Sequence, residues 1–409
     1  MLMPAGTFRR TSRSAAASAV CGLLLVGAAG APARAGSTRE QQWFLDAMKA
    51  QEMWRTSTGK GVTVAVIDTG VDATNPDLAG QVLQGKDFTQ GEPGEDHTDG
   101  HGHGHGTGMA GLIAGTGAYG GGSGAFGLAP GAKILPVRMS GEVNSGAEGT
   151  KRFNAVAPEA IRYAVDAGAR VINISMGVQE GSPQLTAAVK YALDKGSLVF
   201  AAVGNSGDGG NEVEYPAATP GVVGVGAVGK NLRRTAWSEY GAQVDMAAPG
   251  EEMVHPCGGK TGVCKTDGTS DATALASASA ALIWSKHPSW TNNQVLRVML
   301  NTIGGPTDGS KRNDSIGYGI VRPRVALENP GDPGPADVYP LPDLTASAAP
   351  PAPDSSGKGA GHAAPPSVEA SESKASTYVV PLGVAVLAVT GVLLGLWALR
   401  ARRRRSAAA

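Results

Sequence analysis

Asp267-Gly-Thr-Ser270-Asp-Ala-Thr-Ala-Leu-Ala-Ser-Ala-Ser-Ala-Ala-Leu-Ile-Trp284 decides how this chain folds. After Gly268 neither glycine nor proline occurs until Pro288, and most residues are small and apolar. Such a run predicts a buried helix that neighbouring elements can approach closely. Ser270 then falls at the helix N-terminus, where unpaired N–H groups and the helix dipole favour negative charge. An ordinary serine cap would sit there. So would the nucleophile of an acyl-transfer site, because an oxyanion develops beside it.

Working outward, Val62-Thr-Val-Ala-Val-Ile67 is a near-continuous β-branched run, the mark of a parallel strand buried on both faces. It ends at Asp68-Thr-Gly-Val-Asp72, and the C-terminal edge of such a sheet is where ligands bind. Strand signals recur at 132–138, at 171–175, at 197–203, which stops at Gly204-Asn205, and at 222–228. Helical signals fall at 157–167, 184–195 and 291–301, with a polar loop expected from Met139 to about Ala155. Alternating strands and helices predict an α/β fold, a doubly wound and mostly parallel sheet with helices on both faces. The domain is expected to span residues 59–328.

The chain has 409 residues, 42% of them hydrophobic and 17% charged, enough for a sizeable core. Its formal net charge is zero and its only long basic tract is at the extreme C-terminus, so nucleic acid is not an expected partner. Four of the seven histidines, at 97, 101, 103 and 105, lie in one glycine-rich loop. A metal site is one reading of that cluster. Glycine between the histidines preorganises nothing around an ion, so no metal and no cofactor are expected, and a general base is the better account. His105 stands at the start of a small-residue helix, Gly108-Met-Ala-Gly-Leu-Ile-Ala114. Cys257 and Cys264 would pair in an oxidising compartment, while a two-cysteine metal site lacks a second ligand pair.

Both ends differ from the middle. Arg9, Arg10 and Arg13, an apolar run and Ala33-Arg-Ala35 have the layout of a secretory signal peptide over residues 1–35. A short extension, 36–58, has apolar residues at helical spacing and is expected to pack on the surface or rim of the domain. Its removal is expected to leave most activity. Residues 329–377 form a Pro/Ala/Ser-rich linker, expected to be an extended spacer. Residues 378–399 carry no charge over 22 positions, long enough for one transmembrane helix, and the basic tail 400–409 follows as a stop-transfer cluster on the cytoplasmic side. The globular domain would then face outward from a cell membrane, tethered by a single pass.

Asp68, His105, Asn205 and Ser270 each lie at a strand end or a helix start, places that a doubly wound sheet brings to one edge. A serine hydroxyl needs a base to take its proton and a carboxylate to orient that base. The Asn205 amide and the Ser270 N–H could hold an oxyanion. Val-Ile-Asp68-Thr-Gly, His105-Gly-Thr-Gly-Met-Ala-Gly, Ala-Val-Gly-Asn205 and Gly-Thr-Ser270 resemble the motif set of the subtilisin-like serine proteases, in the family's order. With its short extension, spacer and anchor the chain most resembles the mycosins, membrane-anchored subtilases associated with actinobacterial type VII secretion.

The resemblance implies a serine endopeptidase acting on protein or peptide substrates, with Asp68, His105 and Ser270 catalytic and Asn205 in the oxyanion hole. It also implies that Ser175, Met176 and Gly177 line the substrate cleft as an extended strand, and that a type VII secretion membrane complex is a partner. A protease-like scaffold stabilising such a complex is the alternative. His105 is preferred over His101 and His103 because Gly-Thr follows it. Three departures from the family stand out: Gly108 replaces a second histidine, Ala274 replaces a proline, and Asp271 follows the serine directly. A carboxylate at 271 is expected to disfavour acidic substrates near the scissile bond.

Overall fold

The computed structural model describes residues 37–89, 104–140, 146–257 and 262–344. The signal segment, His97, His101, His103, most of the Pro-rich linker, the 378–399 span and the basic tail lie outside the described residues. No helix among the described residues is long and apolar enough to cross a membrane.

Seven strands make one sheet: β1 (Thr63–Asp68), β2 (Lys86–Asp87), β3 (Lys133–Arg138), β4 (Val171–Ile174), β5 (Leu198–Ala202), β6 (Val223–Val228) and β7 (Met246–Pro249). Their order is β2-β3-β1-β4-β5-β6-β7 and every pairing is parallel. Chain progression reverses direction between β1 and β4, and the crevice at such a reversal opens at the C-terminal strand ends. Asp68 closes β1 and Ser175 follows β4 at that edge. A two-stranded antiparallel hairpin, β8 (Met253–Pro256) and β9 (Val263–Thr266), lies apart from the sheet and is closed by the Cys257–Cys264 disulfide.

Period-two alternation divides β1 between two cores. Val64 and Val66 join one cluster, whereas Ala65 and Ile67 join the other. On the first face lie α1 (His105–Ala114) and α4 (Thr269–Lys286); on the second lie α2 (Gly146–Asp166) and α3 (Pro183–Asp194). Every residue of α4 from Thr269 to Trp284 is buried, so this helix runs through the core rather than along it. Its alanines make that possible, because they let strands and helices approach on all sides.

Four expectations are corrected. The loop from Met139 to about Ala155 is helical from Gly146: α2 runs 21 residues and contains Pro158. Gly149, Phe153, Ala157, Ile161 and Ala164 form its buried stripe, and only one large anchor, Phe153, lies in the first half. That sparse signal hid the helix. The extension is part of the core, not of the rim: Phe44, Leu45, Ala50 and Met53 are buried in the same cluster as α4. Gln42, fully buried, donates to the Phe126 and Val254 carbonyls at 2.8 and 2.9 Å and accepts from Phe126 N–H at 3.0 Å.

The domain also continues past Glu328, the last residue of α6 (Pro323–Glu328), which follows α5 (Asn292–Asn301). Tyr339 Oη donates to the Gly221 carbonyl at 2.9 Å, Leu341 is buried, and Arg297 donates to the carbonyls of Pro333 and Pro335. The first third of the expected spacer is therefore packed, because its proline-fixed carbonyls meet a guanidinium that can donate five hydrogen bonds. The fourth correction concerns Asp271 at the candidate active site.

Candidate active site

α4 begins at Thr269, with Gly268 as its cap residue in extended conformation and no side-chain cap bond. Ser270 is thus inside the first turn and does not cap it. Its Oγ donates to the Ser175 carbonyl at 3.3 Å, and Ser175 Oγ donates to the Ser270 carbonyl at 3.3 Å. Asn173 Nδ2 donates to Ser175 Oγ, and Ser277 Oγ donates to Asn173 Oδ1, both at 3.0 Å. This buried network locks the end of β4 against the first half of α4, so the position of Ser270 is set by the sheet.

Asp68 is fully buried, and its Oδ1 accepts from Thr69 N–H at 2.7 Å and lies 2.7 Å from His105 Nδ1. Nδ1 must carry a proton to bond a carboxylate, which leaves Nε2 as the nitrogen that takes a proton from elsewhere. α1 can approach this closely because Gly106 lacks a side chain: a Cβ there would fall 2.1 Å from the Gly70 carbonyl oxygen. Asn205 Oδ1 accepts from Thr269 N–H at 2.9 Å and from Thr269 Oγ1 at 3.0 Å. A backbone N–H can only donate, so the amide orientation is determined and Nδ2 is the group left to act as donor. His105, Asn205, Ser270 and Asp271 line one cleft of about 550 Å³.

Ser175, Met176 and Gly177 leave the sheet after β4 without joining another ladder, and antiparallel pairing resumes at Val178 with Tyr215. Among the described residues, Met176 and Gly177 make no backbone hydrogen bond to another segment. An extended segment with unpaired backbone groups can accept a peptide as an added strand.

Asp271 does not present its charge to the cleft, which corrects the expected effect on acidic substrates. It is 2% exposed, and its Oδ1 shares a hydrogen bond with the Thr266 hydroxyl at 2.6 Å. Burial pushes its carboxyl up from 3.8 to about 7, with the Thr266 bond and the nearby His105 opposing that rise. Behind Thr266 stands a residue that sequence reasoning missed, His255. Its Nδ1 faces the Pro256 carbonyl at 2.8 Å, so Nδ1 carries the proton, and its Nε2 meets Thr266 Oγ1 at 2.8 Å. Burial pulls this imidazole down from 6.5 to about 4. A Cβ on Gly108 would sit 2.5 Å from His255 Cε1. The one signal in the sequence was that glycine: a missing side chain in a packed helix must be replaced by volume from elsewhere.

The subtilase family profile matches residues 59–319. M-protease of Shouchella clausii (strain KSM-K16) is 38% identical over 272 residues, 66% of this chain and 66% of that protein. Subtilisin Savinase of Lederbergia lenta is 38% identical over 248 residues, 61% of this chain and 85% of that protein. Among solved structures, MycP1 from Mycobacterium smegmatis superposes with a TM-score of 0.61 at 28% identity, covering 73% of this chain and 87% of that one. MycP3 protease from the type VII (ESX-3) secretion system superposes with a TM-score of 0.57 at 32% identity, covering 69% and 87%. The chain belongs to the subtilase family of serine endopeptidases.

Proposed function

We propose that this protein is a membrane-anchored, extracytoplasmic endopeptidase that cleaves exported proteins through an Asp68–His105–Ser270 triad. The observation that carries the reading is the 2.7 Å contact of His105 with buried Asp68 at the cleft that Ser270 lines. In the proposed reaction Ser270 Oγ bonds to the peptide carbonyl carbon while His105 Nε2 takes its proton. The oxyanion is held by Asn205 Nδ2 and by the Ser270 N–H, which lies in the first turn of α4 and has no hydrogen-bond partner among the described residues. His105 then protonates the leaving amine as the C–N bond breaks. Water hydrolyses the acyl-enzyme by the same route, returning the proton to Ser270. Asp68 keeps the imidazole in one tautomer and stabilises its charged form.

The likeness to MycP1 and MycP3 supports a site of action beside a type VII secretion membrane complex. The 1–35 signal layout, the uncharged 378–399 span and the arginines after it support export and a single C-terminal anchor.

Labelling of the full chain in detergent with a fluorophosphonate probe tests the mechanism, beside Ser270→Ala and His105→Ala. Label on the wild type that is lost in both variants is the expected result. A folded wild type that takes no label would sink the triad and favour a protease-like scaffold.

A further inference from the structure

Two segments flank Ser270. Ser175–Gly177 is tied to it through the Ser175 carbonyl, and Gly204–Ser206 is tied to α4 by Gly204 N–H donating to Thr269 Oγ1 at 3.3 Å and by Asn205. A carbonyl held between Ser270 and Asn205 therefore places its own side chain along these two segments.

Behind each segment stands a carboxyl group. A Cβ on Gly177 would lie 2.3 Å from Glu214 Oε2, and one on Gly204 would lie 2.3 and 2.5 Å from the Glu239 carboxyl oxygens. Both acids are held in place. Tyr215 exchanges two backbone hydrogen bonds with Val178, at 2.9 and 2.7 Å, which pins the strand carrying Glu214. Glu239 N–H donates to the Gly204 carbonyl, and Glu239 Oε1 accepts from Ser206 Oγ at 2.7 Å. Glu239 is fully buried, and its Oε2 has no hydrogen-bond partner among the described residues.

Among the described residues neither Glu214, Glu239 nor the adjacent Glu212 makes an ion pair. Burial, then repulsion from Glu239 and Glu212, pushes Glu214 up to about 7. A fully buried Glu239 carboxyl with one unpaired oxygen, beside a half-buried Glu214, is complemented by a cation. Among the described residues no three metal-ligating side chains come close enough to hold an ion. A cation delivered by the substrate fits: a lysine or arginine stem can lie along the Met176–Gly177 backbone while its head reaches the acids. An apolar side chain would leave Glu239 Oε2 dry and unpaired.

We infer that Glu214 and Glu239 form a cation-binding floor beside Ser270, so that this peptidase prefers lysine or arginine as the residue whose carbonyl is attacked. The inference presupposes the acyl-enzyme mechanism proposed above.

Hydrolysis of succinyl-Ala-Ala-Pro-Xaa-p-nitroanilides by the full chain, with Xaa as Lys, Arg or Leu, tests it. The cationic peptides are expected to exceed Leu in kcat/KM by roughly tenfold to a hundredfold. Glu214→Gln is expected to collapse that ratio through loss on the cationic peptides. A Leu preference, or an equal loss on all three peptides, overturns the inference. A second measurement needs no variant: n-butylamine should inhibit wild-type cleavage of the Leu peptide at much lower concentration than 1-butanol, and equal inhibition also overturns it. Fluorophosphonate labelling separates the two failures. Labelled enzyme that prefers Leu sinks only the specificity, whereas unlabelled, inactive protein sinks the mechanism and the specificity with it.

Discussion

Asp271 Oδ1 and His255 Nε2 lie 3.8 Å apart, and both bond the one hydroxyl of Thr266. A single hydroxyl proton cannot serve both acceptors at once. With Asp271 protonated, its carboxyl donates to Thr266, which donates to Nε2. With the proton moved to His255, every donor in the chain reverses. One proton is therefore held by the pair, next to Ser270, the proposed nucleophile.

That sharing predicts an unusual pH dependence of stability. The folded chain holds Asp271 protonated up to about 7 and His255 neutral down to about 4, against ordinary values of 3.8 and 6.5. Between pH 4 and 6.5 the unfolded chain carries the proton on His255 instead, so both states bind the same number and this pair contributes no slope. His255→Gln removes one side of the balance. Stability should then fall as pH rises from about 4 to about 7, by up to about 1.4 kcal/mol per unit. Asp271→Asn should reverse the sign, with stability rising from about 4 to 6.5 as the unfolded histidine loses its extra proton. Urea denaturation at half-unit pH intervals checks this, and slopes of the same sign in the two variants would refute the opposite shifts of Asp271 and His255.

Gly108→Ala should destabilise by about 1–3 kcal/mol, because the new methyl would fall 2.5 Å from the buried His255 ring. Combined with His255→Ala, the cost of the alanine at 108 should shrink. A double-mutant cycle in thermal unfolding measures the coupling, and strict additivity would show that the ring and the glycine are independent.

Asn205→Ala should lower kcat by about 10² to 10³ and leave KM nearly unchanged, since in the proposed mechanism its amide acts on the oxyanion rather than on bound substrate. Steady-state kinetics on a peptide anilide gives the split. A change confined to KM would assign Asn205 to binding. The same change also frees the Thr269 N–H, so thermal unfolding of the variant should accompany the kinetics.

Phe44→Ala should cost about 3–5 kcal/mol, the cost of a cavity in a tightly packed core. Deletion of residues 36–58 should cost more, because it also removes Gln42 from the Phe126 and Val254 carbonyls and Ser57 from the Leu282 carbonyl. Loss of the cooperative unfolding transition in the deletion is the expected outcome. A deletion that unfolds at the wild-type urea concentration would return the extension to the surface.

Truncation after Glu328 should destabilise the domain, since it uncovers the surface under Leu341 and strips Arg297 of its three carbonyl partners, Pro333, Pro335 and Val338. Truncation after residue 344 retains those contacts. Unfolding midpoints of the two truncations measure the difference.

Five of the seven strands were legible because each is a short apolar run with its own local signal, as at Val62–Ile67 and 197–203, whereas β2, two residues long, and β7, Met246–Pro249, are too short to carry one. The buried helix of Ser270 was legible for a similar reason, as only small residues suit an element packed on every side. The 36–58 segment was misread because helical spacing reports that one face is buried and not what covers it. The packed stretch 329–344 was misread because its order comes from Arg297, Gly221 and Tyr339, partners far away in the chain.

At the site, the residue types and order of Asp68, His105, Asn205 and Ser270 came from the sequence alone. Which serine atom is held by which carbonyl, and which amide group of Asn205 is left to donate, depend on contacts between β4, β5 and α4. The pairing of His255 with Asp271 and the carboxyls under Gly177 and Gly204 depend on the same packing. Local signals travel along the chain, but proton positions and unpaired charges depend on what burial brings within about 3 Å, and only the folded molecule determines that.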